Sequence, residues 1–408
     1  DRQGSICSPV YGNCVNGTRT LPIQILDVAG LIPGASQGAG LGNKFLDDLR
    51  HAHVFLHVVD ASGRTNAQGQ PTRGHDPVED VFWLHEEIRA WISTNIQTKL
   101  PRLVRKQTST KTRFDRLIQT LFAGYSTKLS TTQKVLELCD KSSLSGKFNP
   151  NSDISKLDKD DIELLVESFL QVRFPTVIVA NKVDCKPAAK NIEQLFARAR
   201  FFGKSYYKPD LVVPASALAE LFLRKLHKQQ LIFYKPGSDT FETKEDVHQQ
   251  QSSNSDQKDA DTLSALLGLT SSSSSSSNNE NKNSSDDDRA RKQQLKPITN
   301  KQQRDTLQKL KDLVLYRYSS TGVQVAIQRA VKTLGFIRVY PVKHNLNILA
   351  KAHQQDTHHS LTLFPHCLLV EPGTSVKKIA QLMNCGKVVT HAEDENGQRK
   401  GLDFAITK

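Results

Sequence analysis

A polar motif directly after an apolar run carries the residue types that recognise a purine base. The motif, Asn181-Lys182-Val183-Asp184, follows the apolar run 176–180 without a break. A carboxylate at Asp184 can accept hydrogen bonds from both N1–H and the 2-amino group of guanine, whereas adenine offers neither donor there. A buried acceptor that adenine leaves unpaired costs about 1–3 kcal/mol. Asp184 therefore predicts selectivity for guanine, with the aliphatic stem of Lys182 packed over the ring.

A second motif, the pair Ser216-Ala217, lies after a further apolar run and before a helical pattern. The side chains of both residues are small, so a backbone N–H can approach an oxygen of the base closely. The position of the pair downstream of Asn181 fits a second base-binding loop. We therefore expect Ser216 and Ala217 to complete the base site.

A third motif, Asp27-Val28-Ala29-Gly30, ends the apolar run Ile23–Asp27 and has the chemistry of a phosphate-sensing loop. At the carboxyl end of a strand, Asp27 can hold the hydration shell of Mg²⁺ through a water molecule. The N–H of Gly30 can reach a γ-phosphate when the loop closes. The motif therefore predicts a Mg²⁺ contact at Asp27 and a phosphate contact at Gly30.

The residues after this third motif suggest a switch without a catalytic glutamine. Leu31 follows this motif directly, and its apolar side chain cannot orient an attacking water, so we assign no catalytic residue and expect slow turnover. The glycine-rich loop Leu31–Gly42 is expected to change shape between nucleotide states. A dinucleotide site is excluded, because Gly38, Gly40 and Gly42 do not form G-x-G-x-x-G and do not follow a strand directly.

The loop that cradles nucleotide phosphates, G-x-x-x-x-G-K-[S/T], does not occur in the 408 residues. The chain also begins with Asp1 rather than Met. We therefore expect a first strand, the phosphate loop and a first switch to precede residue 1 in the complete protein. On that interpretation, these 408 residues alone are inactive. A protein that has lost the loop by degeneration is the alternative.

Composition favours a protein that meets a polyanion. Lys and Arg number 55 against 42 Asp and Glu, a formal net charge of +13. Residues 97–135 concentrate this charge, with nine Lys or Arg against the single acid Asp115. No run of eighteen apolar residues predicts a membrane span, and the six cysteines form no C-x-x-C pair. These features suggest a soluble protein of the reducing cytoplasm, with no membrane partner.

The predicted elements place the three motifs on an α/β fold. Four nearly continuous apolar runs are typical of parallel strands buried on both faces, namely Ile23–Asp27, Val54–Asp60, Thr176–Ala180 and Leu211–Pro214. A helix is predicted to start at Pro77, with Asp76 as N-cap and Glu79 closing a capping box. From this helix to about Gln171, we expect a helical hairpin that projects from the α/β core.

These motifs together resemble the Obg-like/YchF family of translation-factor-class P-loop GTPases. The resemblance is carried by "DVAGLIPGASQGAGLGNKFLDDLRHAHVFLHVVDASG", "GQPTRGHDPVEDVFWLHEEI", "ANKVD", "PASALAEL" and "SSTGVQ". The last segment resembles a TGS domain, a small β-grasp module, and stops about one strand short of a complete one. Asp184 places the chain in the branch with Asn-Lys-x-Asp, since the best-known branch has Asn-x-x-Glu and prefers ATP.

The resemblance implies a P-loop NTPase-type sheet, mostly parallel, that is interrupted by an inserted helical domain and followed by the β-grasp domain. The predicted boundaries are 1–84 for the first part of the G domain, 85–171 for the helical insertion, 172–242 for the second part of the G domain, 243–300 for a disordered low-complexity insert, 301–335 for a helical return and 336–408 for the TGS-like domain. The helix of this last domain is predicted to be capped by Thr374.

The family further implies that GTP is bound and hydrolysed with Mg²⁺, in a cytoplasmic protein that associates with ribosomes. We expect a monomer without DNA specificity, whose basic arm 97–135 contacts ribosomal RNA through phosphates. Two alternatives stay open at this point. One is a ribosome- or RNA-binding adaptor that does not use nucleotide, and the other is an ATPase like the better-known branch.

Overall fold

The chain folds into two compact units in the computed structural model. One consists of residues 26–244 and 295–334, and the other of residues 1–25, 245–294 and 335–408. The structure describes residues 14–15, 18–19, 23–28, 49–142, 146–201, 209–249, 285–340, 367–383, 389–394 and 398–407.

The secondary structure alternates short strands with helices. The strands are β1 (Cys14–Val15), β2 (Thr18–Arg19), β3 (Phe55–Asp60), β4 (Thr176–Asn181), β5 (Val212–Pro214), β6 (Ile232–Tyr234), β7 (Phe241–Thr243), β8 (Ile337–Val339), β9 (Leu368–Val370), β10 (Ala392–Glu393) and β11 (Arg399–Lys400). The α-helices are α1 (Pro77–Thr110), α2 (Phe114–Phe122), α3 (Leu129–Ser142), α4 (Lys159–Arg173), α5 (Ala188–Phe201), α6 (Ala217–Lys228), α7 (Ser285–Gln293), α8 (Lys301–Leu310), α9 (Tyr316–Tyr318), α10 (Val323–Leu334) and α11 (Val376–Leu382). A π-helical segment, Lys311–Leu315, joins α8 to α9.

A parallel three-stranded sheet, in the order β3-β4-β5, forms the centre of the larger unit. Its register places Asp60 opposite Asn181 and Ala180 opposite Pro214. Val177, Ile178 and Ala180 are fully buried because helices cover both faces of the central strand. The apolar runs that predicted these three strands therefore gave the correct elements, and the fold is α/β as expected.

The expectation of a strand at Ile23–Asp27 is wrong. Residues 23–28 have no strand structure, and Ile23, Ile25 and Leu26 are between 42% and 63% exposed. A strand needs a hydrogen-bonded neighbour, and none of the described strands pairs with this segment. The apolar composition of residues 23–27 matches the pattern of a buried strand. Composition does not provide a neighbouring strand to pair with, so no strand forms.

Helix α1 starts at Pro77 as predicted, but its cap differs from the predicted capping box. The carboxylate of Asp76 accepts from the N–H of Val78 over 3.0 Å. The side chain of Glu79 does not return to Asp76, because it lies 3.7 Å from Nδ1 of His75. The N-terminus of the helix is thus capped by one residue, and Glu79 serves a local ion pair instead.

The helical insertion is a bundle of α1, α2, α3 and α4 with its own core, rather than the expected hairpin. The rings of Phe122 and Phe169 stack with their centroids 3.8 Å apart, and Phe114 is fully buried beside them. Helices α2 and α3 each carry an apolar face that two helices alone could not cover, so a bundle forms. Helix α4 (Lys159–Arg173) returns the chain from the insertion to β4.

The expectation of disorder fails at the ends of the predicted insert 243–300, while residues 250–284 lie outside the described part. Helix α7 occupies the end of this range, and Leu295 and Ile298 beyond it are buried. Ile298 packs against Leu226 and Ile232. The predominantly polar composition of this segment predicted disorder because it outweighs the two apolar residues Leu295 and Ile298. Both side chains are buried in the larger unit.

Residues 301–335, predicted as a helical return, contain α8, the π-helical segment, α9 and α10. Leu307, Leu310 and Val314 are buried. The π-helical segment adds a residue to one turn, and Leu315 is buried as well.

The C-terminal module combines the antiparallel pair β8–β9, helix α11 and the hairpin β10–β11. The N-cap of α11 is Ser375, whose hydroxyl accepts from the N–H of Lys378, so the predicted cap at Thr374 is wrong. The hydroxyl of Thr374 donates instead to the carbonyl oxygen of Glu371 over 2.7 Å, because it lies inside the preceding turn. An α+β module is present where it was predicted.

Among the helices that the structure describes, none combines the length and hydropathy that crossing a lipid bilayer requires.

Candidate functional site

The two predicted base motifs meet at the carboxyl ends of β4 and β5. The N–H of Ala215 donates to the carbonyl oxygen of Ala180 over 2.8 Å, and the N–H of Val183 donates to the carbonyl oxygen of Ala215 over 3.2 Å. These bonds continue the ladder of the parallel strands past their ends. Residues distant in sequence thereby form one edge of the sheet, where ligands of open α/β folds bind.

Ser216 fixes the carboxylate of Asp184. The hydroxyl of Ser216 donates to Oδ1 of Asp184 over 2.6 Å and accepts from the N–H of Ala219 over 3.1 Å, so it also caps α6. Ser216 is fully buried, whereas Asp184 is partly exposed. A buried hydroxyl with both bonds satisfied holds the carboxylate in one orientation. The other oxygen, Oδ2, accepts a weak hydrogen bond from Sγ of Cys185 over 3.8 Å.

The side chain of Asn181 forms a second hydrogen bond between the two base motifs. Its Oδ1 accepts from the N–H of Ala217 over 3.0 Å. This is the backbone donor that the sequence suggested for the oxygen of the base, so a base would have to share it with Asn181. Ala217 as a residue is exposed, but its N–H is engaged by Asn181. The contact of Ala217 with a base therefore stays a prediction.

Lys182 adopts the left-handed backbone conformation, with φ of 67°. A non-glycine residue there costs about 1–3 kcal/mol unless its surroundings hold it. The side chain supplies such a restraint, since Nζ lies 2.7 Å from Oδ2 of Asp60. The stem of Lys182 is therefore fixed across the edge of the sheet, in line with its predicted packing over a ring.

Asp60, the last residue of β3, is a functional candidate that was not identified from the sequence. Its carboxylate also accepts from the N–H and the hydroxyl of Ser62, over 2.9 and 2.6 Å, and from the hydroxyl of Thr65. Burial alone raises the pKa of Asp60, but the hydrogen bonds from Lys182, Ser62 and Thr65 outweigh it and lower the pKa to about 2. Asp60 is thus a permanent anion at neutral pH. Its position at the end of an apolar run was the available sequence signal.

The phosphate-side residues are not assembled with the base motifs in the described part of the chain. Asp27 is exposed, and no described hydrogen bond joins it to Asn181, Asp184 or Ser216. Gly30, Leu31 and the loop Leu31–Gly42 lie outside the described residues. The roles predicted for them stay predictions.

The donor chemistry of Asp27 fits Mg²⁺ in one limited respect. Protein-bound Mg²⁺ keeps most of its waters and takes one or two carboxylates together with phosphate oxygens. One exposed carboxylate is consistent with that pattern. Within the described ranges, no group of three acidic, histidine or cysteine side chains forms a cage for a metal ion.

The basic arm is a solvent-facing surface. All nine of its cationic residues are exposed, namely Lys99, Arg102, Arg105, Lys106, Lys111, Arg113, Arg116, Lys128 and Lys134. The one acid of the range, Asp115, is buried and pairs with Arg113 at 3.2 Å. Each of the nine cations is therefore accessible to solvent, and the contact of the arm with RNA stays a prediction.

Comparison with known proteins identifies the family. A family model described as an Obg-like GTPase, YGR210-like, G4 motif-containing domain matches residues 179–344, which include all the base-motif residues. An uncharacterized GTP-binding protein of Schizosaccharomyces pombe is 35% identical over 384 residues, 94% of this chain and 77% of that relative. A second, from Methanocaldococcus jannaschii, is 36% identical over 56% of this chain and 53% of its own length.

A solved structure supports the same assignment. The crystal structure of a GTP-binding protein from Pyrococcus horikoshii superimposes with a TM-score of 0.63 and 25% identity, over all of this chain and 86% of that one. The parallel sheet with its covering helices is thus the fold of a P-loop GTPase. On the extent of the fungal match and the family model at the base motifs, the chain belongs to the Obg-like family of GTP-binding proteins.

Proposed function

We propose that the protein selects guanine over adenine through Asp184, with Asn181, Lys182, Ser216 and Ala217 completing the base site. The observation that carries this proposal is the 2.6 Å hydrogen bond from the hydroxyl of Ser216 to Oδ1 of Asp184. It leaves the exposed side of an oriented carboxylate for two donors, N1–H and the 2-amino group. A guanine-selective site gains about 1.5–3 kcal/mol from each hydrogen bond to a charged acceptor.

The same geometry disfavours the ATPase of the better-known YchF branch. Adenine has no donor at the position that corresponds to N1–H of guanine, so it would cover the Asp184 carboxylate without donating a hydrogen bond to it. The site therefore supports membership of the branch with Asn-Lys-x-Asp. A nucleotide-independent adaptor is also disfavoured, because capping of α6 accounts for the buried Ser216 but not for the hydrogen bond from its hydroxyl to Asp184.

We further propose that GTP is hydrolysed slowly. Leu31 has no polar group that could orient an attacking water, so its side chain would leave that task to another group or a partner. Asp27 would hold Mg²⁺ through water, and Gly30 would contact the γ-phosphate. Mg²⁺, when bound, supplies charge neutralisation for the phosphate oxygens. The loop Leu31–Gly42 would report the nucleotide state.

The basic arm supports a role at the ribosome. Nine exposed cations in 39 consecutive positions form a surface suited to the phosphate backbone of RNA. Contacts of this kind carry no sequence information, which fits the expected lack of DNA specificity. Together with a TGS-like C-terminal module, they support a translation-associated switch, which we propose to be a cytoplasmic monomer.

Competition at equilibrium tests the nucleotide proposal. The full-length protein is loaded with a fluorescent GDP analogue, and GDP, GTP, ADP and ATP are titrated against it with Mg²⁺ present. Guanine nucleotides should displace the probe at concentrations at least about tenfold lower than adenine nucleotides, from the loss of one charged hydrogen bond. Equal or better displacement by ATP would overturn the proposal in favour of the ATPase branch, and no binding of any nucleotide would favour the adaptor.

A further inference from the structure

The turn Ser320–Gly322 lies directly against the base-motif segment. The N–H of Ser216 donates to the carbonyl oxygen of Thr321 over 2.9 Å, and Thr321 is fully buried. The hydroxyl of Ser320 accepts from the N–H of Gly322 over 3.1 Å, which closes the turn. The backbone of Ser216 is thus held from outside its own loop, by a segment more than 100 positions further along the chain.

Gly322 makes the approach possible. Its φ is +78°, in the left-handed region, and a Cβ added there would lie 2.0 Å from the carbonyl oxygen of Pro214 and 2.7 Å from Cα of Ala215. Both atoms belong to the backbone and cannot rotate away. Any other residue would therefore push the turn away from the segment that carries Ser216.

Thr321 is anchored in turn by a buried carboxylate on α6. The hydroxyl of Thr321 donates to Oε2 of Glu220 over 2.6 Å, and the same oxygen accepts from the hydroxyl of Tyr234 over 2.7 Å. Nε of Arg224 donates to Oε1 over 2.6 Å. Burial raises the pKa of Glu220, but the three donors outweigh it and lower the pKa. Glu220 therefore stays charged and holds the turn firmly.

We propose that Thr321 and Gly322 are positioning residues that set the guanine selectivity of Asp184 by fixing Ser216. This inference rests on the proposed function, in which Asp184 reads the base. Ser216 offers its hydroxyl to Asp184 only while its backbone is held by Thr321. When the turn shifts, the carboxylate of Asp184 loses its fixed orientation and can no longer accept two parallel hydrogen bonds.

Binding of inosine diphosphate (IDP) distinguishes a loss of orientation of the Asp184 carboxylate from a general loss of stability or affinity. Hypoxanthine keeps N1–H but lacks the 2-amino group, so the ratio of IDP to GDP dissociation constants measures the second hydrogen bond. A fixed carboxylate predicts a ratio of about 10–100 in the wild type, from one charged hydrogen bond. A merely structural role would lower the unfolding temperature or both affinities and leave the ratio unchanged.

The test compares Gly322→Ala with Gly74→Ala in the full-length protein. Gly74 has the same φ of +78°, but an added Cβ would meet nothing within 4 Å, so it controls for backbone strain alone. We expect Gly322→Ala to weaken GDP binding at least about tenfold and to reduce the IDP/GDP ratio below about three. Gly74→Ala should keep both values within about twofold.

Thr321→Val and Thr321→Ser keep the proposal testable if Gly322→Ala fails to fold. Valine removes the hydroxyl that binds Glu220 at nearly constant volume, whereas serine keeps it. We expect Thr321→Val to lower the IDP/GDP ratio several-fold and Thr321→Ser to retain it. If both Gly322→Ala and Thr321→Val keep the wild-type IDP/GDP ratio, the positioning role is overturned. The proposed function would stand in that case. A wild type that binds ADP as well as GDP would instead overturn the proposed function.

Discussion

The side chains of Asp60 and Lys182 form an ion pair of 2.7 Å that joins the ends of two adjacent parallel strands. Asp60 ends β3, and its register partner Asn181 ends β4 immediately before Lys182. The lysine of the base motif is therefore held by the neighbouring strand as well as by its own loop. This arrangement links the rigid sheet to the residue whose stem is proposed to cover the base.

Replacing Asp60 with asparagine should weaken nucleotide binding without unfolding the protein. Asp60→Asn removes the charge that holds Nζ of Lys182, and the left-handed Lys182 loses a restraint. We expect GDP affinity to fall about 5- to 30-fold, which corresponds to 1–2 kcal/mol. Fluorescence titration measures it, with Asp305→Asn on the exposed surface of α8 as the control. Unchanged affinity in Asp60→Asn would mean that the ion pair is irrelevant to the site.

His57 should make stability depend on pH. Burial lowers the pKa of His57 to about 4, so the folded protein keeps it neutral while the unfolded chain takes up a proton below its ordinary pKa of 6.5. Stability is therefore complete above pH 6.5 and falls as pH decreases towards 4. Between pH 7 and 5, the loss attributable to His57 is about 1–2 kcal/mol.

Urea unfolding at the two pH values measures this loss. His57→Leu should abolish the His57 contribution, so the variant should lose less stability than the wild type on acidification. His51→Leu removes a histidine that is exposed and should behave like the wild type. An identical pH dependence in His57→Leu and the wild type would contradict the assignment.

Arg173 should be a strong determinant of the stability of the helical insertion. Its guanidinium donates to the carbonyl oxygens of Tyr125 over 2.9 Å and Ala52 over 2.7 Å, and to that of Arg50. Lysine cannot reach three carbonyls with a planar fork, so Arg173→Lys should cost about 2–3 kcal/mol. Thermal unfolding measures it, with the exposed Arg116→Lys as control. Equal unfolding temperatures of the two variants would refute this role.

The basic arm should give RNA binding a steep salt dependence. Replacing Arg102, Arg105 and Lys106 together with glutamine removes three exposed cations from α1. The slope of log affinity against log salt should decrease by about 2–3, since each phosphate contact contributes about 0.7–0.9. Filter binding to ribosomal RNA fragments between low and physiological salt measures the slope. The charge-preserving triple variant with Arg and Lys exchanged should keep the slope, and equal slopes in all three proteins would exclude the arm as the RNA contact.

The sequence predicted the parts of the fold that depend on local pattern. The buried runs at β3, β4 and β5 and the Asp76-Pro77 helix start depend on side-chain type and spacing, so they could be read directly. The expected strand Ile23–Asp27 failed because pairing depends on a neighbour. The expectation of a helical hairpin failed for a related reason. The number of helices needed to cover a hydrophobic core depends on packing between distant segments, which a local sequence pattern does not show.

In the candidate base site, too, residues with a local sequence signal could be predicted, whereas residues that act through distant contacts could not. Asn181, Asp184 and Ser216 were found because a charged or hydroxyl side chain directly after a buried strand is a strong local signal. Asp60 and Thr321 were missed because their importance comes from contacts between distant segments. A glycine in "SSTGVQ" gives no hint that Pro214 lies against it.

Exchanging Asp184 for asparagine tests the central claim most directly. In the proposed site the carboxylate of Asp184 accepts hydrogen bonds from guanine, whereas an asparagine amide at that position can donate to the O2 carbonyl of xanthine. The wild type should bind GDP at least about tenfold more tightly than XDP, and Asp184→Asn should reverse this order while keeping the fold. Retention of the preference for GDP in Asp184→Asn would contradict the account, because the base would then be read by a group other than Asp184.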